Sequence, residues 1–240
     1  MTQIWEHLSF DEIGQLSKEK VVFLPVGAIE AHGKHLPVAS DSIITNDVTQ
    51  HVCSKCGGVL GPLVNFGPCE TLLKFPGTIT ISEDTLGLLF KDIITSIAYH
   101  GFRKICIING HGGNTIVLEQ ILKWSRKHYP NLKITFINWY ESPNLVKLKR
   151  TNPTYKGDHA DRVETEMMLV ITGQLVKLNK AIDDLPVWPE NFERLNDYSQ
   201  IMKYAVEGSP SKSRSSTAKK IHKSVIQNLV KQVNVFFKRE

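Results

Sequence analysis

Short apolar runs alternate along the chain with longer amphipathic segments. The runs 21–29, 59–64, 104–109 and 134–139 are rich in β-branched residues and have the length of buried strands. Apolar residues at helical spacing follow, over 42–53, after Ser82 and after Asn114. Such alternation of strands and helices predicts an α/β fold with three layers, α/β/α, around a largely parallel central sheet.

Both ends of the chain carry helix signals. Ser9 with Glu12 three residues later has the pattern of a capping box. The segment 209–239 holds eight lysines and arginines and no acidic residue. Such a basic segment could contact nucleic acid or an anionic substrate, but its interleaved apolar residues favour an amphipathic helix with the lysines on its solvated face.

Three polar segments interrupt the alternating pattern. The Gly/Pro-marked stretch 66–82 predicts a loop that leads into a short strand and lines a site. The Pro-bearing stretches 141–157 and 185–199 are predicted as loops near a site or at a subunit contact. We expect substrate specificity to reside in 66–76, 141–157 and 185–199.

Composition fits one globular domain over residues 1–240, with 41% hydrophobic and 22% charged residues. No apolar run approaches the roughly 20 residues of a membrane span, and no signal peptide is visible, so we expect a cytoplasmic protein without membrane association. Cys53 and Cys56 have the spacing of a zinc or redox pair, but no second pair accompanies them. We interpret them as two incidental thiols on a helix turn.

Candidate chemistry gathers where the first strand ends. Glu30, His32, His35 and Asp41 follow the run 21–29. Residues two apart in an extended segment point to the same face, and a turn at Gly33 and Pro37 could return Asp41 to that pair. Carboxylates and imidazoles beyond the carboxyl end of a strand indicate a divalent-metal site, the alternative being a polar loop whose histidines only cap the strand.

Two further segments carry similar residues. Asn109-Gly-His111-Gly-Gly-Asn114 stands between a strand and a helix but does not fit a dinucleotide or phosphate-loop motif. His159 and Glu164 flank the start of another predicted helix and could reach the same pocket. A solvated helix carboxylate is the alternative for Glu164.

With these pieces in place, the chain resembles the creatininase family of metal-dependent amidohydrolases. The matching segments, which cover nearly the whole chain in order, are Leu24-Pro-Val-Gly-Ala-Ile-Glu30-Ala-His32-Gly-Lys-His35-Leu-Pro37, Asp41, Phe75-Pro-Gly-Thr78, Asn109-Gly-His111-Gly-Gly-Asn114, His159-Ala160 with Glu164-Thr165, and Gly208-Ser-Pro210.

The resemblance implies two divalent metal ions per subunit, zinc, manganese or iron(II). By position, Glu30 and His111 would bind one ion, His32 the other, and Asp41 would bridge them. Glu164 is the candidate to complete the ligand set of the second ion. A metal-activated hydroxide would attack an amide carbon, and His159 would protonate the departing nitrogen.

The chain differs from creatininase itself at several positions, and these differences bear on its substrate. Creatininase has a glutamate ligand where this chain has Gly113, an aromatic residue at Gly112 and a tryptophan at Tyr155. These departures bring the pattern closer to the family's formamide deformylases of archaeal flavin and deazaflavin synthesis and to its mycofactocin-type peptidases. We expect Gly112, Tyr155, Cys69 and His35 on the substrate side.

The expected function is therefore hydrolysis of a non-peptide C–N bond in a small-molecule amide, formamide or cyclic amide. The alternatives are creatinine hydrolysis proper, a peptidase acting on a modified peptide, and a non-catalytic oligomer stapled by metal. The resemblance implies a homo-oligomer, with a hexamer as the first expectation. We expect no nucleic-acid partner.

Overall fold

A computed structural model describes residues 2–190 and 196–238 of the chain. Its central sheet has five parallel strands in the order β1-β3-β2-β4-β5. The strands are β1 Gln3–Ile4, β2 Val21–Val26, β3 Val59–Leu60, β4 Lys104–Asn109 and β5 Lys133–Asn138. The two central strands, β2 and β4, pair along their full length from Val21 with Lys104 to Val26 with Asn109. Their carboxyl ends therefore lie side by side.

Helices cover both faces of this sheet. They are α1 Phe10–Gln15, α2 Ser40–Cys56, α3 Glu83–Tyr99, α4 Thr115–His128, α5 Pro143–Thr151, α6 Arg162–Thr172 and α7 Ser215–Lys238. Helices α3 and α4 pack on one face, and α2, α5, α6 and α7 on the other. The predicted three-layer α/β/α architecture is confirmed.

The alternation of side chains along β2 explains why two cores share one sheet. Val22, Leu24 and Val26 face the α3/α4 layer, whereas Phe23 faces the α2/α6/α7 layer, and all four are fully buried. Burial of each such side chain contributes about 1.5–3 kcal/mol. An apolar run with no polar position is what a strand buried on both faces requires.

Local capping follows the predicted signals. Ser9 and Glu12 form a complete capping box at α1. The Ser82 side chain accepts the backbone N–H of Thr85 at the start of α3. These contacts satisfy N–H groups that have no partner within the helix.

Three predicted strands are shorter than expected. The run 21–29 is strand only to Val26, because the chain then turns into the polar loop. The run 59–64 keeps two strand residues, since the Gly61-Pro62 pair interrupts it, and Val64 retains one bridge to Val26. The strand expected at the end of 66–82 is reduced to one bridge between Ile79 and Ile29.

The prediction of a loop over 141–157 is wrong, because α5 lies within it. Pro143 stands at the first turn of this helix, where its missing N–H costs nothing. Leu145 is buried against the core on the α7 side. The second stretch, 185–199, is irregular where the structure describes it, and its residues 191–195 lie outside the described residues.

The amphipathic interpretation of the C-terminal segment is confirmed. Helix α7 buries an apolar stripe that includes Ala218, Ile221, Val225, Leu229 and Val233. The described lysines of the helix, at positions 219, 220, 223 and 231, are exposed. Cys53 and Cys56 lie together on α2, as predicted.

A small antiparallel pair stands at the edge of the site. It joins β6 Gly157–His159 to β7 Glu207–Gly208. Gly157 and Gly208 have φ of +121° and +151°, and a Cβ at Gly157 would lie 2.1 Å from the Glu207 carbonyl oxygen. Only glycine allows this approach, which sets the position of His159. Across the described residues, no helix has the length and apolar character needed to span a bilayer.

Candidate metal centre

The predicted site residues converge at the carboxyl edge of the sheet. Glu30 and His32 follow β2, and His111 follows the neighbouring strand β4. Asp41 and Glu164 come from the first turns of α2 and α6, and these five side chains are at least largely buried. With His159 of β6 they form one cluster, and all of them except His32 line a cavity of about 980 Å³. Such a crevice at the end of parallel strands is where α/β proteins bind ligands.

Asp41 lies at the centre of this cluster. Its Oδ2 is 3.2 Å from His111 Nδ1, which is also 3.3 Å from Glu30 Oε1. Its Oδ1 is 3.1 Å from His32 Nε2, which is 3.7 Å from Glu164 Oε2. Each group, Glu30–Asp41–His111 and His32–Asp41–Glu164, offers three ligand atoms within 4.8 Å of one another. The two oxygens of one carboxylate thus serve two adjacent ligand sets.

Backbone carbonyls fix the tautomer of both histidines. His111 Nε2 lies 2.7 Å from the Pro68 carbonyl oxygen, and His32 Nδ1 lies 3.0 Å from that of Glu30. A carbonyl only accepts, so each of these nitrogens carries the proton. When the ring is neutral, its opposite nitrogen faces the carboxylates with its lone pair. Histidines that bind metals are oriented in this way.

Electrostatics at the cluster favour positive charge. Burial lowers the pKa of both His32 and His111, but neighbouring carboxylates outweigh it and raise both pKa values well above the ordinary histidine value. Burial raises the pKa of Asp41 and Glu164, but the imidazoles outweigh it and lower both. A divalent cation satisfies the same demand.

Two carboxylate oxygens indicate that the cluster is suited to bind a cation. Asp41 Oδ2 and Glu164 Oε2 are buried and accept no hydrogen bond of suitable geometry. Buried charged oxygens without such partners are costly unless they bind an ion. The donor set of three carboxylates and two imidazoles suits zinc, manganese or iron(II). The residues present therefore fit the metals that the resemblance implies.

The lack of space at Gly113 explains why the carboxylate beside His32, in addition to Asp41, comes from α6 and not from this position. A Cβ at Gly113 would lie 2.2 Å from the Pro68 carbonyl oxygen and 2.6 Å from His111 Nε2. No side chain fits there, so a glutamate at this position would displace the loop that orients His111. Glu164 of α6 instead stands beside His32.

His159 stands at the rim of the cluster. Its Nε2 donates to the Ala31 carbonyl oxygen at 2.8 Å, and its Nδ1 is 3.5 Å from Glu30 Oε1. The ring packs on His32 with centroids 4.5 Å apart. Glu30, His32 and His159 also form a group with metal-ligand spacing, so geometry alone allows His159 either as a ligand or as a proton donor.

Two residues expected on the substrate side lie elsewhere. His35 is buried behind the site, where its Nε2 donates to Thr165 Oγ1, and burial lowers its pKa to about 4. Tyr155 is buried in the core, donates to Glu166 and packs under the Arg162 guanidinium. Neither lines the cavity. The prediction that His35 and Tyr155 contact the substrate is therefore wrong for this cavity.

Cys69 and Gly112 do line the cavity. Burial raises the pKa of the Cys69 thiol to about 11, so it is a neutral wall group rather than a nucleophile. A Cβ at Gly112 would meet no atom within 4 Å, which means that its lack of a side chain widens the cavity. Their contact with substrate stays a prediction.

The segments expected to determine specificity all contribute to the wall. The first supplies Pro68, Cys69, Glu70, Thr71 and Leu72. Val146 and Lys149 come from α5, and Trp188 and Tyr198 come from 185–199.

Sequence reasoning missed Lys149 and Asp161. Asp161 caps α6 by accepting the Glu164 N–H at 2.9 Å. Lys149 donates to the Gly157 carbonyl and lies within 3.0 Å of both Asp158 and Asp161. It thus holds the segment on either side of His159. An N-cap aspartate three residues before Glu164 was a visible signal, whereas nothing in the sequence links Lys149 to that segment.

The cavity wall is acidic. Besides the cluster itself, it includes Glu70, Glu83, Glu141, Asp158 and Glu207. Lys149 is the one lysine or arginine among the described wall residues, and its charge is shared with two aspartates. Burial raises the pKa of the Glu207 carboxyl.

Known proteins similar to the chain agree with this fold. The creatininase family model, described as creatinine amidohydrolase, matches residues 6–233. Creatinine amidohydrolase of Pseudomonas putida is 25% identical over 181 residues, covering 69% of this chain and 70% of the relative. The mycofactocin precursor peptide peptidase of Mycolicibacterium smegmatis is 36% identical over 173 residues, covering 67% and 64%.

A third relative is the 2-amino-5-formylamino-6-ribosylaminopyrimidin-4(3H)-one 5'-monophosphate deformylase of Methanosphaera stadtmanae. It is 31% identical over 136 residues, covering 55% of this chain and 57% of the relative. A crystal structure of creatinine amidohydrolase aligns at TM-score 0.90 and 21% identity, over 100% of this chain and 99% of the other. Creatininase structures described as a manganese form and as a Zn–Zn type align at TM-score 0.89.

Proposed function

The chain belongs to the creatininase family, and we propose that it is a hydrolase that uses two divalent metal ions to cleave the C–N bond of an amide in a small molecule. The observation that carries this proposal is the shared carboxylate of Asp41. One of its oxygens faces His111 and the other faces His32. Similar solved creatininases are described with manganese and with zinc, which supports the choice of metals.

Each residue of the cluster has a defined part in this proposal. Glu30 and His111 would hold one ion, His32 and Glu164 the other, and Asp41 both. When bound, the ions supply a nucleophile from water at neutral pH and polarise the amide oxygen. Three carboxylates against four positive charges leave about one positive charge at the centre, which suits an anionic nucleophile.

His159 is the proposed general acid. Its Nε2–H is held by the Ala31 carbonyl, so the ring keeps its orientation while Nδ1 gains and loses a proton. Nδ1 faces the cluster beside Glu30. In the protonated ring, Nδ1–H would pass its proton to the departing nitrogen.

The charge of the wall narrows the substrate class. Among the charged residues of the described wall, Asp and Glu outnumber the one lysine, Lys149, which is already paired. The negative charges that line the cavity repel an anionic substrate. We therefore propose that the substrate is a neutral or cationic amide. A phosphorylated substrate, such as the monophosphate in the name of the deformylase relative, does not suit this wall.

A peptidase is the second candidate. A cavity of about 980 Å³ exceeds what a single small ring fills, and the lack of a side chain at Gly112 widens it. The relative with 36% identity is named as a peptide peptidase. A modified peptide end with a neutral or basic side chain would suit the same wall.

The test is an assay of the metal-loaded protein on creatinine, a formylaminopyrimidine with and without its phosphate, and a short peptide amide. We expect turnover of an uncharged or cationic amide, with the unphosphorylated pyrimidine preferred over its phosphate ester. Peptide cleavage alone would select the second candidate. Failure to hydrolyse any amide would favour the non-catalytic, metal-stapled alternative.

The assembly is proposed as a homo-oligomer, with a hexamer as the first expectation. Family membership supports this proposal. Light scattering on the purified protein measures it, and a monomer at micromolar concentration would contradict it.

A further inference from the structure

Three potential metal ligands meet on the outside of the molecule, away from the cavity. Asp47 and His51 belong to α2, and His222 belongs to α7, which packs on α2. His222 Nε2 is 2.6 Å from Asp47 Oδ2, and His51 Nδ1 is 3.4 Å from the same oxygen. The two rings meet edge to face with centroids 5.2 Å apart. One ligand atom from each residue lies within 4.8 Å of the others.

The spacing of these side chains suits coordination. Asp47 and His51 are four residues apart, which places both on one face of the helix, as in metal-binding helices. His51 Nδ1 also donates to the Asp47 backbone carbonyl oxygen at 2.9 Å. The nitrogen that lies 3.4 Å from the Asp47 carboxylate is therefore the one that the carbonyl holds. Coordination through Nδ1 would replace this bond and move the ring proton to Nε2, which leaves the imidazole neutral.

Charge and access suit a divalent cation. One carboxylate with two neutral imidazoles gives the group a net charge of about −1. The His51 side chain is 48% exposed, whereas those of Asp47 and His222 are 22% and 13% exposed. One side of the group is therefore open, which allows an ion to enter and leaves room for water ligands, while the other side is held between two helices.

We propose that Asp47, His51 and His222 form a second metal site, separate from the catalytic cluster, that takes zinc or another divalent ion with affinity for imidazole. The cation takes the place of the Nε2–H that His222 donates to Asp47, and that proton moves through solvent to Nδ1 of the same ring, so the imidazole stays neutral. Because its ligands come from two helices, the bound ion staples α7 to α2. Imidazole and carboxylate together favour zinc, nickel or cobalt over manganese.

The test compares zinc content per chain after dialysis against a buffer that holds free zinc at a micromolar level. The variants are His51→Ala, at the exposed ligand, and His222→Ala. His128→Ala is the matched control, because His128 is exposed on α4 and makes the same bond to the carbonyl four residues before it, at 2.9 Å, with no carboxylate partner among residues 2–190 and 196–238.

We expect the wild type and His128→Ala to bind one more zinc per chain than either variant of the group. We also expect zinc to slow hydrogen exchange of the backbone amides of α7 in the wild type but not in His51→Ala. Hydrolytic activity should be the same in His51→Ala as in the wild type. Equal zinc content in all four proteins would overturn the proposal, whatever number of ions the catalytic centre holds.

Discussion

His159 contacts the cluster with one ring nitrogen while the other is held by the Ala31 carbonyl. A metal ligand and a general acid make different demands on such a ring. A ligand keeps its lone pair on the ion, whereas an acid must carry a proton on the nitrogen that faces the reaction. Substitution of His159 separates these roles, because loss of a ligand lowers the metal content, whereas loss of a general acid lowers the rate.

We predict that His159→Ala keeps the metal content of the wild type and lowers kcat by about 10²–10⁴, the usual contribution of a general acid. The reason is that Glu30, His32, Asp41, His111 and Glu164 supply both ligand sets without it. Metal analysis and steady-state kinetics on the same preparation measure the two effects. Loss of an ion from this variant would instead make His159 a ligand, with Glu30 and His32.

At this scale, the sequence predicts which residue types converge better than where each side chain points. Glu30, His32, Asp41 and His111 follow strands whose carboxyl ends are adjacent, so their convergence is foreseeable. The orientation of His111 depends on the Pro68 carbonyl, 43 residues away. His35 and Tyr155 stand close to motif residues in sequence, but Thr165 and Glu166 turn them away from the cavity.

At the scale of elements, Glu166 ties α6 to α7. Its buried carboxylate accepts hydrogen bonds from Arg162 Nε at 2.9 Å, Tyr155 OH at 3.1 Å and Thr217 Oγ1 at 2.7 Å. It also accepts the Arg214 backbone N–H at 3.0 Å, immediately before α7 begins. Helix α6 carries Glu164, so this tie supports the element that delivers a candidate ligand.

We predict that Glu166→Ala destabilises the fold by about 3–5 kcal/mol, since it leaves the buried Arg162 without its carboxylate partner. Chemical denaturation measures the free energy of unfolding. The matched control is Glu119→Ala on the exposed surface of α4, for which we expect a change within about 0.5 kcal/mol. Equal stability of the two variants would refute the role of Glu166.

The elements themselves were predictable where one property dominated. Strands buried on both faces and helices with an apolar stripe carry their own signal, as β2, β4 and α7 show. Helix α5 was missed because only Leu145 is buried among its residues, and a short, polar helix looks like a loop in sequence. The pairing of β6 with β7 joins residues about 50 positions apart and depends on a close approach at two glycines.

At the scale of the whole molecule, the protonation of the metal centre makes metal binding depend on pH. Burial lowers the pKa of His32 and His111, but the carboxylates outweigh it and raise both pKa values well above the ordinary value. Each ring therefore carries a second proton near neutral pH before an ion binds. An ion must displace these protons.

We predict that metal affinity rises with pH above the ordinary histidine pKa of about 6.5 and that binding releases protons. Competition with a coloured chelator measures the affinity, and calorimetry in buffers of different protonation enthalpy counts the protons. An affinity independent of pH in this range would contradict the raised pKa values.

The stability of chelator-stripped protein should follow the same groups. The raised pKa values of His32 and His111 contribute stability that is full below their unfolded-state pKa and is lost as pH rises through the folded-state values. The lowered pKa values of Asp41 and Glu164 contribute stability that is lost as pH falls through theirs. We therefore expect added metal to stabilise the protein most on the alkaline side, which melting curves across pH would measure.

The most direct test of the shared carboxylate is a manganese count per chain in Asp41→Asn, which keeps the shape of the side chain. Manganese is chosen because the outer group of Asp47, His51 and His222 should bind it weakly. Asp92→Asn, at an exposed position of α3, is the control. We predict two ions per chain in the wild type and the control and the loss of at least one in Asp41→Asn. Two ions retained in Asp41→Asn, or fewer than one in the wild type, would contradict the two-metal centre.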